Sequence, residues 1–379
     1  MLRPALHDDE GGWWPTGVAG GGESFLDKLG MTGEAGAMGN DVGSDDGSRN
    51  RCGGRRRAIP RPARHDEGLS DVDLRVLRDI ANRVLPKLGR SVVERTAAGV
   101  STPIYRVRRG GTTLYLRLAE TAEDSLGPEV LVHRCLRARG VLVPEVVHFE
   151  PFHEALNRSV MITTEIPGTP LTEAPRGIDL RPILIAAGRD LAQVAALEVA
   201  GFGWIRRDEP AATHLTAELP TLRDFVLTDL GVHLAVARRF LTAQEIRAVE
   251  IAIDRDTGWL DVAAGRLAHG DLDATHIYQR DGRYTGIIDF GEIRGADTLY
   301  DLGHVALHDG ERLTTPLLPD LVAGFGGVIA LPEDHAARIR RWSIIIGVRA
   351  LARVADRPAE RYRDHLVRAI RAALATGSS

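Results

Sequence analysis

From Leu74 onward apolar residues fall at helical spacing. Leu74, Val76, Leu77, Ile80 and Val84 make one stripe, and Ser70 with Asp73 forms a capping-box pattern ahead of it, so a first helix is predicted from about Ser70. The period then shortens. Val92-Val93 and Ile104-Tyr105-Arg106-Val107 read as strands. Gly110-Gly111 turns the chain into a third strand over 112–118, with Leu114, Leu116 and Leu118 on one face and Arg117 on the other. Pro128 opens a helix that Gly140 ends, with Leu131, Cys135 and Leu136 on one side. Val146-Val147-His148-Phe149 and Val160-Met161-Ile162-Thr163 are further strands, and Pro167-Gly168 breaks the pattern. Beyond that break the periodicity is mostly helical, over 180–199, 222–240, 242–251, 333–354 and 359–374, interrupted by a hairpin within 276–289. A small β-rich lobe, a hinge and a larger helical lobe give an α+β, two-lobed architecture with a cleft between the lobes. The expected division is a tail over 1–67, an N-lobe over 68–166 and a C-lobe over 167–379.

Residues 1–67 carry no sustained period. They are rich in Gly, Asp and Arg, with Gly20-Gly21-Gly22 and Arg55-Arg56-Arg57, and have too little apolar surface to offset the entropy of ordering, so a disordered, solvated tail is expected. The whole chain, at 379 residues, is long enough for two lobes with a core each. A net charge of −4 makes no field that would recruit nucleic acid or an anionic membrane. The two cysteines, Cys52 and Cys135, have no metal-ligand spacing and imply no disulfide framework, which points to a reducing cytoplasm. Met1-Leu2-Arg3-Pro4 lacks the apolar stretch of a signal peptide, and runs such as Ile183-Leu184-Ile185-Ala186-Ala187 are far too short to cross a bilayer.

The candidate chemistry lies between 269 and 301: His269-Gly270-Asp271, His276, Ile288-Asp289-Phe290-Gly291 and Asp301. Segments 276–279 and 284–289 read as two strands closed by an Asp281-Gly282 turn, which would set His276 opposite Ile287 and Asp289 two residues further on the same face. Such a diagonal pair has Cα atoms about 7–8 Å apart, close enough for a ring nitrogen and a carboxylate to share a metal, with Asp271 in the loop beside them. One carboxylate to orient a hydroxyl and another to hold a metal is what phosphoryl transfer from a metal-bound nucleotide requires. Other features read as structural. His304 and His308 share a helical face but have no Glu after His304 and no third ligand in view, so they read as helix packing. Gly324-Phe325-Gly326-Gly327 lacks a full dinucleotide fingerprint. Arg338, Arg340, Arg341, Arg349 and Arg353 read as a solvated helix face.

On His269-Gly270-Asp271, Ile288-Asp289-Phe290-Gly291 and Gly295-Ala296-Asp297 leading into Tyr300-Asp301-Leu302, the chain resembles the aminoglycoside phosphotransferase family, small-molecule kinases with a protein-kinase-like fold. The resemblance runs over about 92–304. It implies that Asp271 is the catalytic base and Asp289 a metal ligand, with His269 supporting the loop and Asp301 holding local structure. In the smaller lobe it implies a nucleotide grip of Arg117, where the family often has Lys, paired with Glu129; Gly99 and Ser101 would cover the phosphates, and Glu165 would lie at the hinge beside the base. His276 stands where family members usually carry Asn. Three readings follow: it binds the second metal less tightly, it contacts phosphate as a cation, or it marks a lost activity. The expectation is a kinase that uses ATP or GTP with Mg²⁺ on a small hydroxylated compound, aminoglycoside-like, macrolide-like or an amino alcohol. Glu292, Asp297, Asp309 and Glu311 are candidate attractors for an amino-substituted substrate. The alternative is a catalytically silent, kinase-like ligand-binding module.

Overall fold

The computed structural model describes residues 71–84, 91–96, 104–208, 214–254 and 257–376. The tail expected over 1–67 and the cap at Ser70 lie outside the described residues. Helix α1 (Asp71–Val84) precedes five strands, β1 (Val92–Arg95), β2 (Ile104–Arg109), β3 (Thr112–Leu118), β4 (Val146–His153) and β5 (Arg158–Thr164). All pair antiparallel, in the order β1-β2-β3-β5-β4. The alternation on β3 does what its pattern implies: Leu114, Leu116 and Leu118 join Tyr105, Val107, Val160 and Ile162 in a core that Leu77, Ile80 and Ala81 of α1 cover. Arg117 is left on the opposite face, toward α2 (Gly127–Ala138), which has proline in its first turn as expected.

Past the break at Pro167-Gly168 the chain is mostly helical. The helices are α3 (Arg181–Ala195), α4 (Leu222–Leu227), α5 (Leu230–Ala237), α6 (Ala243–Asp254), α7 (Tyr300–His308), α8 (Leu318–Gly326), α9 (His335–Val354) and α10 (Glu360–Ala375). Threaded between them are short strands: β6 (Thr169–Pro170), β7 (Glu198–Val199), β8 (Phe202–Ile205), β9 (Ala217–Leu219), β10 (Gly265–Ala268), β11 (Ile277–Arg280), β12 (Arg283–Ile287) and β13 (Arg294–Ala296). They form two more sheets, β7-β10-β13-β8-β9 and β12-β11-β6. Around Trp342 of α9 a second core gathers Phe202, Phe225, Trp259, Tyr300 and Ile370. None of the described helices is long and apolar enough to cross a membrane.

The fold departs from the sequence reading in definable ways. The β7-to-β9 sheet went unseen because strands of two to four residues hold too few alternations to register as a period. The helix expected over 180–199 stops at Ala195, and Val199 instead pairs with Gly265. The helix expected over 222–240 is two helices: the Arg349 guanidinium donates to the carbonyls of Phe225 and Val226, which a continuous helix would have used internally. Arg349 is thus not part of a solvated face, and burial lowers its pKa to about 10. In the hairpin, Asp281 and Gly282 both take positive φ, 52° and 75°, as the two-residue turn demands. Thr285 bulges, however, so Ile277 pairs with Ile287 and the His276 carbonyl accepts the N–H of Ile288 at 3.1 Å; the register is one residue off the expected one.

Helices α3 and α8 meet through glycine on both sides. A Cβ on Gly188 would lie 2.2 Å from the Leu321 carbonyl oxygen, and one on Gly324 would lie 2.1 Å from that of Ile185. Gly324, the first glycine of Gly324-Phe325-Gly326-Gly327, therefore serves close helix packing. We expect Gly188→Ala to force the helices apart and lower the free energy of unfolding by about 1–3 kcal/mol. Urea unfolding measures this, and an unchanged midpoint would show that the crossing can relax.

Candidate active site

Strand β10 delivers the chain to His269-Gly270-Asp271, and that loop is held by a carboxylate from the first turn of α7. Asp301 accepts the backbone N–H of His269 through one oxygen and that of Gly270 through the other, both at 2.8 Å. Gly270 has φ +87°, and a Cβ there would lie 1.9 Å from the Glu292 carbonyl oxygen, so the position admits only glycine. His269 ties this loop to the hairpin end, donating from Nε2 to the Ile288 carbonyl at 2.9 Å. Burial lowers its pKa to about 4, which keeps the ring neutral, and its Nδ1 accepts the Asp271 N–H at 3.4 Å. The ring also packs on Phe290, at 4.7 Å between centroids.

The two acidic motifs converge. Asp271 is buried, and Nε2 of His304 lies 3.6 Å from its Oδ1. His304 donates from Nδ1 to the Leu272 carbonyl, and burial, with His308 alongside, lowers its pKa to about 3, so Asp271 faces a neutral ring rather than a cation. His276 donates from Nδ1 to the Asp271 carbonyl at 2.7 Å, which turns Nε2 toward Asp289, 3.8 Å from its Oδ2. Asp289 adopts φ 67°, ψ 68°, a left-handed conformation that Asp tolerates better than most residues. Asp273, which the sequence reading passed over, supports the loop by accepting the Thr275 N–H at 2.7 Å, with Oδ1 3.5 Å from His276 Nδ1.

From the other lobe, Arg117 reaches the same place. Its NH1 lies 2.9 Å from Glu129 Oε2 and 3.6 Å from Asp289 Oδ1. Burial opposes its charge, but Glu129 and Asp289 more than compensate, and its pKa is raised. Glu129, only 1% exposed, has a second cation on its other oxygen: Arg207, at 3.2 Å, which also donates to the Gly291 carbonyl at 2.7 Å. Arg207 follows β8 in a stretch without motif or period, and no sequence signal marks it. Gly291 leaves room for the Arg117 guanidinium, since a Cβ there would lie 2.5 Å from its NH2.

Arg117, Glu129, Asp271, His276 and Asp289 are thus brought together. Glu165 is not among them: its side chain is exposed and accepts a hydrogen bond from the Tyr115 hydroxyl at 3.3 Å. Gly99 and Ser101 lie outside the described residues. The four carboxylates expected to attract an amino group are engaged within the protein. Glu292 pairs with Arg294 at 3.0 Å, Asp297 with Arg338 at 3.3 Å and Glu311 with His308 at 2.8 Å, while Asp309 accepts the N–H groups of Leu317 and Leu318.

Asp301 also gives a pH signature. Burial raises its pKa from 3.8 to about 6, against the opposing pull of the two N–H donors and Arg294. A carboxyl whose pKa is higher in the folded state favours folding below its unfolded value and loses that contribution as pH rises through the folded one. The stability of the wild type relative to Asp301→Asn is therefore expected to fall between about pH 4 and pH 6 and to level off above. Urea unfolding across that window tests it, and a difference that grew with pH would contradict the assignment.

Residues 92–340 match the family model of the phosphotransferase enzyme family. The hygromycin-B 4-O-kinase of Escherichia coli is 23% identical over 201 residues, which are 52% of this chain and 56% of that enzyme, so the match spans little more than half of the curated relative. Among solved structures, a thermostable mutant of aminoglycoside phosphotransferase APH(4)-Ia superposes with TM-score 0.56 at 20% identity, covering 79% of this chain and 99% of that one. Its ternary complex with AMP-PNP and hygromycin B gives TM-score 0.57 at 18% identity, covering 80% and 99%. A fructosamine-3-kinase candidate from Thermobifida fusca gives 0.51 at 21%, covering 79% and 99%. The fold is therefore the two-lobed, protein-kinase-like one, and with most of its length matched by the family model, the chain belongs to the phosphotransferase enzyme family.

Proposed function

We propose that this protein is a small-molecule kinase: it transfers the γ-phosphate of ATP or GTP to a hydroxyl of a small aminoglycoside-like, macrolide-like or amino-alcohol acceptor. The observation that carries the reading is the convergence of Asp271, Asp289 and His276 with the Arg117–Glu129 pair from the opposite lobe. In this reading residues 68–166 grip the nucleotide, and residues 167–379 supply the catalytic loop and the acceptor site, in a cytoplasmic protein. The names of the relatives agree with it: one phosphorylates hygromycin B, and solved members hold AMP-PNP or GDP.

Asp271 orients the acceptor hydroxyl and takes its proton as the bond to the γ-phosphorus forms and the bond to the leaving nucleoside diphosphate breaks. The His304 ring beside it is kept neutral by burial. Arg117 offers a fixed cation to the phosphates, and Glu129, clamped between two guanidiniums, sets its position. The donors at Asp289 and His276 fit a divalent ion: His276 donates from Nδ1 to a backbone carbonyl, the outer hydrogen bond usual for a metal-ligating imidazole, and its Nε2 faces the carboxylate. Mg²⁺ held there would neutralise phosphate charge. An imidazole ligand shifts preference from Mg²⁺ toward Mn²⁺ compared with the amide oxygen of Asn.

Calorimetry with ATP and GTP, with and without Mg²⁺ or Mn²⁺, is the first test, followed by a screen of hydroxylated acceptors. Asp271→Ala is expected to lower turnover by about 10²–10⁴-fold while nucleotide affinity stays near wild type; wild-type turnover would remove Asp271 as the base. Asp289→Ala should weaken metal-dependent nucleotide binding by about ten- to a hundredfold. If neither nucleotide binds in a metal-dependent way, the silent ligand-binding module is the better description. His276→Asn should move the metal preference toward Mg²⁺, read as the ratio of kcat/KM in the two metals; an unchanged ratio would take His276 out of the metal site.

A further inference from the structure

Behind Asp271 a row of imidazoles runs from the catalytic loop to the C-terminal helix. The rings of His304 and His308 are 4.6 Å apart. His308 is then flanked by two rings of α10: Tyr362 at 5.9 Å, with planes within 1°, and His365 at 5.9 Å, within 13°. Glu311, in the turn after α7, reaches back so that its Oε2 lies 2.8 Å from His308 Nδ1. One ligand atom each from His308, Glu311 and His365 lies within 4.8 Å of the others. We propose that these three residues form a second metal site, for a divalent transition ion of the zinc type, separate from the site at Asp289 and His276.

Three features point to an ion of that class. Two imidazoles and one carboxylate are a donor set that zinc accepts, whereas Mg²⁺ and Ca²⁺ favour oxygen throughout. His365 is already oriented by an outer hydrogen bond, its Nε2 donating to the Leu307 carbonyl at 2.8 Å, which leaves Nδ1 of the neutral ring with the lone pair. The site also has access: Glu311 and His365 are half-buried, and His308 and Glu311 line a cavity with Asp273, Arg312 and Leu317, where a solvent ligand can complete the coordination. In this proposal the helix-packing reading of His304 and His308 holds for His304 alone. His308 is the ligand, and its partners come from the turn beyond the helix and from α10.

Such an ion would join α10 to α7. That helix presents Asp301 to the His-Gly-Asp loop at its first turn and sets His304 against Asp271, so an ion at its far end would stiffen the support of the catalytic loop. The site stands independently of the kinase reading, because it uses none of Arg117, Glu129, Asp271, His276 and Asp289.

The test is calorimetric titration of the EDTA-stripped, full-length protein with zinc chloride. One ion is expected to bind to the wild type and to Asp289→Ala alike, with affinity about tenfold or more lower in Glu311→Gln and in His365→Ala. Cobalt(II) should give a visible d–d absorption in the wild type that Glu311→Gln loses. Circular dichroism checks that each variant folds; if His365→Ala does not, Glu311→Gln, which keeps the size and shape of the side chain, decides alone. Absence of zinc binding in the wild type would overturn the proposal. So would binding that the folded variants leave unchanged, or binding that disappears with Asp289→Ala.

Discussion

The arrangement depends on one buried anion. Glu129 has almost no contact with solvent, and Arg117 from β3 and Arg207 from the segment after β8 each approach one of its oxygens. Removing one partner of such a group leaves an uncompensated charge in a poor dielectric, at a cost of about 3–5 kcal/mol. The three residues come from the N-terminal sheet, from α2 and from the segment after β8, so the same electrostatic demand that keeps Glu129 paired also fixes one lobe on the other. Arg207 extends the link by binding the Gly291 carbonyl, which ties the Asp-Phe-Gly turn to the same anion.

The second constraint is a loop that cannot satisfy its own backbone. The N–H groups of His269 and Gly270 are buried and have no strand partner, and Asp301 takes both. His269 then bonds the hairpin end, and His276 bonds the carbonyl of Asp271. The backbone hydrogen bonds of their neighbours therefore help to position Asp271 and Asp289. The segments that carry both carboxylates are thereby held rigid, the condition under which positioning contributes most to rate. Asp289 accepts a left-handed backbone conformation in return for that aim.

How much of this was legible depended on range. The N-terminal sheet could be read strand by strand, because β2 to β5 are long enough to alternate and are bounded by Gly or Pro. The turn at Asp281-Gly282 was equally plain, since positive φ at two successive positions is a local demand that Gly and Asp meet. The hairpin register was not, because the bulge at Thr285 has no residue signature, and one extra residue moved His276 from Ile287 to Ile288. The break between α4 and α5 was also hidden. It is made by Arg349, more than a hundred residues away, taking carbonyls that a longer helix would have kept.

The sequence by itself determined the local chemistry: which carboxylates flank the hairpin, the strand that carries Arg117, the first-turn glutamate of α2 and the glycine in the His-Gly-Asp loop. These follow from short-range sterics, hydrogen bonding and periodicity, which act within a few residues and leave a pattern there. Only the tertiary structure decided which charges would be cancelled. Glu292, Asp297 and Glu311 look free in the sequence and are paired in the fold, while Arg207 and His365 look incidental and are brought to a buried carboxylate and to a ring of possible ligands. The reason is physical: desolvation and Coulomb pairing depend on distance in space, and residues far apart in the chain become partners only once the packing of helices and sheets has fixed that distance.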